Sequence, residues 1–87
     1  MQELYLTPHF NLEAMKRDLV NSSTITSIGY SSDDSQLEVE FKTGNIYLYE
    51  NVSQRTYNQV INAESIGTAF NYLIREGGYS YKKLKSI

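Results

Sequence analysis

The chain has 87 residues, of which 40% are hydrophobic and 21% are charged, and its formal net charge is −2. This length fits one small domain with a thin core, which leaves no room for a deep catalytic cavity beside a separate recognition surface. Cysteine is absent and His9 is the only histidine, which excludes disulfides, thiolate metal sites and histidine-based catalytic dyads. The sequence has no apolar run of about 18 residues and no secretory signal, so we expect a cytoplasmic protein that does not span a membrane.

Residues 1–21 are predicted to form an N-terminal extension that carries one short helix. Asn11 is placed to cap a helix over residues 12–20, in which apolar residues recur on one side. Polar residues then end this helix. Residues 22–87 are predicted to form the main domain.

Three strands of an antiparallel meander are predicted next. They span residues 24–30, 36–42 and 46–50. The second strand is the clearest, because Leu37, Val39 and Phe41 alternate with polar residues and therefore point to one face. Gly44 or Asn45 can take the positive φ that a tight turn into the third strand needs.

Two helices are predicted after the strands. Ser53 caps the first, which ends near Ala63, and Ser65 caps the second, which spans residues 66–76. Residues 79–81 are expected to form an extended or irregular tail. The pattern predicts an α+β fold in which two C-terminal helices pack on a three-stranded antiparallel meander, with an extra N-terminal helix and one sheet face left uncovered.

Short motifs in a characteristic order fill residues 22–84. They are Ser23 and Ile25, residues 28–30, residues 37–41, Gly44, Tyr47-Leu48-Tyr49, Val52, Tyr57, Gly67, residues 70–71 and 74–75, and Tyr79 with Tyr81. This stretch resembles the KTSC domain family, which is named for its place at the C-terminus of some lysyl-tRNA synthetases and also occurs in short stand-alone proteins of bacteria and phages. Leu48 and Ser53 depart from the family pattern, which often has a polar residue at the first position and usually a proline at the second. The resemblance implies a small domain without an established biochemical function, for which RNA binding has been suggested.

Tyr47 and Tyr49 share one face of the third strand, and two interpretations of them stay open. Both rings can pack under the helices as part of the core. They can instead form a surface platform on which nucleic-acid bases stack. If the rings lie inside, Ile46 and Leu48 lie outside and form a small apolar strip, which favours a contact with a protein.

An aromatic and basic cluster is concentrated near the C-terminus. Its candidate ligand-binding residues are Asn71, Arg75, Tyr79, Tyr81, Lys82 and Lys83, with Lys85 beside them. Arginine and lysine bind phosphate and tyrosine stacks on bases, while Asn71 and Arg75 share one helix face because they are four residues apart. The alternative is a C-terminal segment that is held by its tyrosines and has its lysines in water. The net negative charge of the chain argues against broad, non-specific nucleic-acid binding.

The sequence contains no nucleophile–base pair, metal-ligand set or glycine-rich phosphate loop, so no catalytic residue, cofactor or metal is predicted. We predict a small non-enzymatic module that binds RNA or a nucleotide through the C-terminal cluster. The alternative is a protein–protein interaction module that contacts its partner through Ile46 and Leu48, for example a phage- or prophage-encoded inhibitor of a host defence protein. A homo-oligomer is a sub-case of this alternative, because an uncovered sheet face or edge strand invites pairing.

Overall fold

Five strands form one antiparallel sheet in the computed structural model, which describes residues 15–85. They are β1 (Asp18–Leu19), β2 (Ile25–Ser31), β3 (Gln36–Phe41), β4 (Ile46–Tyr49) and β5 (Tyr81–Lys85), and they lie in the sheet in chain order. Two helices follow β4: α1 (Gln54–Ile61) and α2 (Ile66–Phe70), which continues directly as a π-helical turn (Asn71–Arg75). The α+β class is as predicted, but the sheet has five strands rather than three.

The core lies between these helices and the sheet face that carries Leu37 and Val39, which we call the front face. Both side chains are fully buried, which confirms the alternation predicted for β3. Phe70 and Ile74 pack onto this face from α2 and the π-helical turn, and Val60 does so from α1. The predicted meander is present as β2, β3 and β4, which pair in succession.

Serine caps begin both helices, as predicted. The Ser53 hydroxyl accepts a hydrogen bond from the backbone N–H of Thr56 at 3.1 Å, and the Ser65 hydroxyl accepts one from the N–H of Thr68 at 3.3 Å. Each cap satisfies one of the backbone donors that the first turn of a helix leaves without a partner. The first helix ends at Ile61, slightly before the predicted end.

The predicted N-terminal helix is wrong where the structure describes it. Asp18 and Leu19 form β1, whose register partners in β2 are Ile28 and Ser27. Residues 12–14 and the expected cap at Asn11 lie outside the described residues. Pairing with the edge of β2 gives this segment backbone partners, and such tertiary contacts override a weak local preference for helix.

The C-terminal tail is also more regular than expected. Residues from Tyr81 onward form β5, which pairs with β4 so that Tyr81 lies opposite Tyr49 and Lys83 lies opposite Tyr47. Lysine is common on edge strands because its charge discourages pairing with another chain. A strand of this composition lacks the apolar alternation by which strands are recognised in sequences.

The opposite face of the sheet, the back face, is not free as predicted. Residues 16–17, which we call the strap, lie against it before the chain enters β1 at the sheet edge, and a Cβ atom on Gly29 would lie 2.3 Å from the carbonyl oxygen of Lys16. Glycine at position 29 therefore permits the close approach of the strap. Arg17 uses this approach to pair with Glu38, whose exposed fraction is only 1%.

Hydrogen bonds extend the contact between the strap and the back face. The Nε of Arg17 donates to the Ser27 hydroxyl at 3.1 Å, and that hydroxyl donates to a carboxylate oxygen of Glu40 at 2.9 Å. The buried polar groups of the back face are thus connected to one another, except for Oε1 of Glu38, which has no hydrogen-bond partner. None of the helices in residues 15–85 has the length and apolar character that a membrane crossing requires.

Candidate functional site

A groove with a volume of about 410 Å³ opens on the front face, between the β3–β4 turn and the π-helical turn. Phe41, Tyr47 and Tyr49 form its aromatic side, and Lys42 and Arg75 bring two cations to it. We call this depression the aromatic groove. Its size falls within the range of pockets that hold small ligands.

The register of the strands places the aromatic rings of the groove side by side. Tyr47 and Tyr49 are two residues apart on β4, so both point to the front face, and their ring centroids are 6.3 Å apart. Tyr81 adds a third ring from β5, at 5.7 Å from Tyr47 and 5.6 Å from Tyr49. Tyr49 is buried, Tyr47 is partly buried, and Tyr81 is exposed. The three rings therefore form a continuous row from the core to the surface.

Phenylalanine rings hold two of these tyrosines from the core side. The Phe70 ring meets Tyr49 edge to face at 5.5 Å, and the Phe41 ring meets Tyr47 in the same way at 5.7 Å. Edge-to-face contacts of this kind stabilise ring positions beyond the effect of burial alone. The interpretation in which the tyrosines pack under the helices is confirmed for Tyr49, which belongs to the buried core, whereas Tyr47 packs against that core and stays partly exposed, so that it lines the groove.

Positive charge collects at the same place. Arg75 lines the aromatic groove from the π-helical turn and Lys42 from the end of β3, and the Nζ of Lys83 lies 5.9 Å from the ring centroid of Tyr47. None of the residues from the described part of the chain that line the groove is an aspartate or glutamate. A protein with a net negative charge thus has a local cationic site next to aromatic rings, which favours anionic ligands with a flat apolar part.

Arg75 owes its position to a wide helical turn. The backbone N–H of Glu76 donates to the carbonyl of Asn71, five residues earlier, at 3.0 Å, which defines a π-type turn. The Nη1 of Arg75 donates to Oδ1 of Asn71 at 3.4 Å. Isolated π-helical turns occur frequently at functional sites, and this one carries the main cation of the groove.

A sequence model and a solved structure name the same family for this chain. The sequence model of the KTSC domain matches residues 21–81. This chain belongs to the KTSC domain family. It is 36% identical over 70 residues to an uncharacterized protein of Stutzerimonas stutzeri (strain A1501), and the match spans 80% of this chain and 99% of that protein. The crystal structure of a KTSC domain protein from Yersinia pestis is similar, with a TM-score of 0.77, 36% sequence identity, and coverage of 83% of this chain and all of that one.

The predicted C-terminal cluster of this KTSC domain divides between the two sheet faces. Tyr81 and Lys83 lie on the front face with Arg75, and Asn71 joins them through its hydrogen bond to the guanidinium. Lys82 points to the back face, where its Nζ lies 3.5 Å from the Glu50 carboxylate. The two faces separate because successive residues of a strand point in opposite directions.

The other predicted ligand residues lie apart from the groove. Tyr79 is partly buried and packs against the core. Lys85 pairs with Ile46 at the end of β5. The cluster expected from the sequence is therefore reduced to four residues at the site.

Sequence reasoning missed Lys42 as a member of this site. It follows Phe41 at the start of the β3–β4 turn, and that turn leads directly to Tyr47. A hairpin drawn from the predicted strands would have placed Lys42 near the tyrosines. The π-helical turn has no signal of this kind, because the residues 71–75 read as ordinary helix.

The apolar strip expected around Leu48 is not exposed. Leu48 does lie on the back face, opposite Glu38, but its exposed fraction is 4%, and Ile46 is only partly exposed. The expectation of an accessible strip is wrong, because the back face is covered rather than free. A protein partner could reach Leu48 only by displacing what covers it.

The ionisation of Tyr49 reports on the geometry of the groove. Burial raises the pKa of Tyr49 above its ordinary value of 10.0, while the nearby Arg75 guanidinium opposes this rise. We expect Arg75→Ala to raise the pKa of Tyr49 further, as measured by the pH dependence of its ring carbon shifts in NMR spectra. Because the pKa is raised in the folded state, Tyr49 contributes stability below about pH 10 that is lost as the pH rises through the folded-state pKa.

Tyr57 provides the internal control for this titration. Burial also raises the pKa of Tyr57, followed by the effect of Asp18, with no contribution from Arg75. Arg75→Ala should therefore leave the Tyr57 titration unchanged. Equal shifts of both tyrosines, or no shift of either, would mean that Arg75 does not face Tyr49.

Among residues 15–85, no group of three His, Cys, Asp or Glu side chains is placed to hold a metal ion.

Proposed function

We propose that this KTSC domain is a non-enzymatic module that binds RNA or a nucleotide in the aromatic groove. One observation supports this above the others. Three tyrosine rings and three cations come together at the groove: Tyr47, Tyr49 and Tyr81 with Lys42, Arg75 and Lys83. Aromatic rings beside an arginine match the two parts of a nucleotide, a flat base and a phosphate.

The exposure of each residue indicates which part of a nucleotide it would contact. Tyr81 is 60% exposed and Tyr47 is partly exposed, so a base can stack on the exposed part of these rings. Such stacking contributes about 1–3 kcal/mol per base. Arg75 is exposed and can form two parallel hydrogen bonds with a phosphate, which is stronger than a contact with a single lysine.

The charge distribution indicates a short contact rather than a long track. Three cations, Lys42, Arg75 and Lys83, gather at the groove, while Lys82 is paired with Glu50 on the other side. A protein that neutralises one or two phosphates shows a weak dependence of affinity on salt, with a logarithmic slope of roughly −0.7 to −1.4 for single strands. We expect this slope rather than the steep one of a basic nucleic-acid-binding protein.

Neighbouring lysines on opposite faces offer the sharpest test. Single-stranded RNA tetranucleotides are titrated into the protein at two salt concentrations, and binding is followed by NMR. Arg75→Ala is expected to weaken binding about tenfold, as the loss of a charged hydrogen-bonding group would. Lys83→Ala should weaken it several-fold, whereas Lys82→Ala should leave the affinity unchanged.

Arg55→Ala is the matched control for the arginine, because Arg55 is an exposed residue of α1. Its affinity for RNA should equal that of the unmodified protein. The proposal fails if neither RNA nor a free nucleotide binds, if resonances of Tyr47 and Tyr81 do not shift on binding, or if Lys82→Ala and Lys83→Ala weaken binding equally.

A further inference from the structure

A second depression adjoins the aromatic groove. It has a volume of about 300 Å³ and lies between the segment before β2 and the start of α2, and we call it the polar trough. The polar residues that line it include Ser23, Thr24, Glu64, Thr68 and Asn71. Ser23 and Thr24 line both depressions, so the two share one wall.

The boundary between the depressions is a hydrogen-bonded pair. Asn71 lines the polar trough and Arg75 lines the aromatic groove, and the guanidinium donates to the Asn71 amide oxygen at 3.4 Å. A ligand group held by Arg75 would therefore lie beside the end of the polar trough. The two depressions form one path that bends around this pair.

The chemistry of the polar trough differs from that of the groove. Hydroxyl and amide groups predominate, no lysine or arginine of residues 15–85 lines it, and Glu64 contributes a carboxylate. A carboxylate repels a phosphate but accepts hydrogen bonds from the hydroxyl groups of a sugar. The trough thus suits a neutral, hydroxyl-bearing group.

Hydrogen-bonding capacity remains in the polar trough. The Thr68 hydroxyl accepts from the Ser65 hydroxyl at 2.9 Å, which leaves its own proton to donate. The Asn71 amide uses its oxygen for Arg75, which leaves its NH₂ group to donate. These donors, together with the Glu64 acceptor, are what recognition of a ribose needs.

We infer that the polar trough holds the ribose of the nucleotide next to the one on the tyrosines. The inference rests on the proposed function and restricts the class of ligand that the site would bind. In RNA the order base, phosphate, next ribose matches the order aromatic groove, Arg75, polar trough. The ligand is then an RNA step of two nucleotides rather than a free mononucleotide, and the 2′-hydroxyl distinguishes it from DNA.

The test compares three adenine probes by NMR titration: AMP, the ribodinucleotide ApA and its deoxy counterpart d(ApA). ApA and d(ApA) carry the same charge and bases, so a difference between them reports on the sugar. We expect ApA to bind about tenfold more tightly than d(ApA), since the site would lose one or two hydrogen bonds with the deoxy sugar. AMP tests the aromatic groove alone.

A substitution that preserves the helix start can block the trough. Thr68 is the third residue of α2 after the Ser65 cap, where glutamate forms a favourable capping box, so Thr68→Glu is expected to fold. The longer glutamate side chain should fill the trough, which removes the preference for ApA over d(ApA) and leaves AMP binding unchanged. Thr56→Glu makes the same change after the Ser53 cap of α1, away from the trough, and should leave all three affinities unchanged.

The outcomes separate the two proposals. If AMP and ApA both fail to bind, the proposed function is wrong and this inference is wrong with it. If both bind but ApA equals d(ApA), or if Thr68→Glu keeps the ribose preference, only the inference about the polar trough is overturned. A preference for ribose that Thr68→Glu removes and Thr56→Glu retains supports it.

Discussion

Replacement of Arg17 by alanine is expected to lower the free energy of unfolding by about 3 kcal/mol, because it leaves a buried carboxylate without its cation. Glu38 is almost fully buried on the back face, and Arg17 is its ion-pair partner. One of its carboxylate oxygens already has no hydrogen-bond partner, so no other hydrogen bond to that oxygen would compensate for the loss of Arg17. The loss should exceed what an ordinary surface arginine would cause.

Chemical denaturation followed by circular dichroism measures this effect. Lys16→Ala removes the neighbouring side chain, which is exposed, and should change the unfolding free energy by less than about 0.5 kcal/mol. The double variant Arg17→Met with Glu38→Leu removes both charges and should be more stable than Arg17→Ala alone. Equal effects of Arg17→Ala and Lys16→Ala would show that the strap does not hold Glu38.

Phe70→Ala is expected to cost about 4 kcal/mol of unfolding free energy, the middle of the range for removing a buried aromatic ring. Phe70 is 1% exposed, and its ring contacts those of Phe41 and Tyr49 at 5.6 and 5.5 Å. A domain of this size has a total stability of only about 5–10 kcal/mol, so this one substitution should remove roughly half of it. The cavity would also remove the support behind the aromatic groove.

Two further variants make this result specific. Phe70→Leu keeps much of the volume and should cost less than half as much as alanine. Tyr72→Ala removes a ring from the same helical stretch that is 75% exposed, and its effect should stay below about 1 kcal/mol. If Phe70→Ala and Tyr72→Ala were equally destabilising, the position of the core between α2 and the sheet would be wrong.

The central part of the fold was predictable because its sequence has a clear period. The alternation around Leu37 and Val39 gave the buried face of β3, and serine caps gave the starts of both helices. β1 and β5 were not predictable in this way, because each is rich in charged residues and forms only by pairing with a neighbouring strand. The strap was misread as helix for the same reason: its conformation depends on Gly29 and Glu38, which lie elsewhere in the sequence.

The candidate site was predictable in part. Arg75, Tyr81 and Lys83 were identified from their residue types near the C-terminus. That Lys82 lies on the other face follows from strand alternation, and it could be deduced only once the tail was known to be a strand. Lys42 belongs to a different hairpin, and its place at the groove depends on the fold as a whole.

The π-helical turn determines which side chain of the helix faces the groove. A hydrogen bond that spans five residues accommodates one residue more than an α-helix would between Phe70 and Glu76. Deletion of a single residue there would let the helix close normally, and every later side chain of the helix would then turn by about 100° about its axis. Homologues that differ by one residue in this stretch are therefore expected to keep the same core but to aim another side chain at the groove.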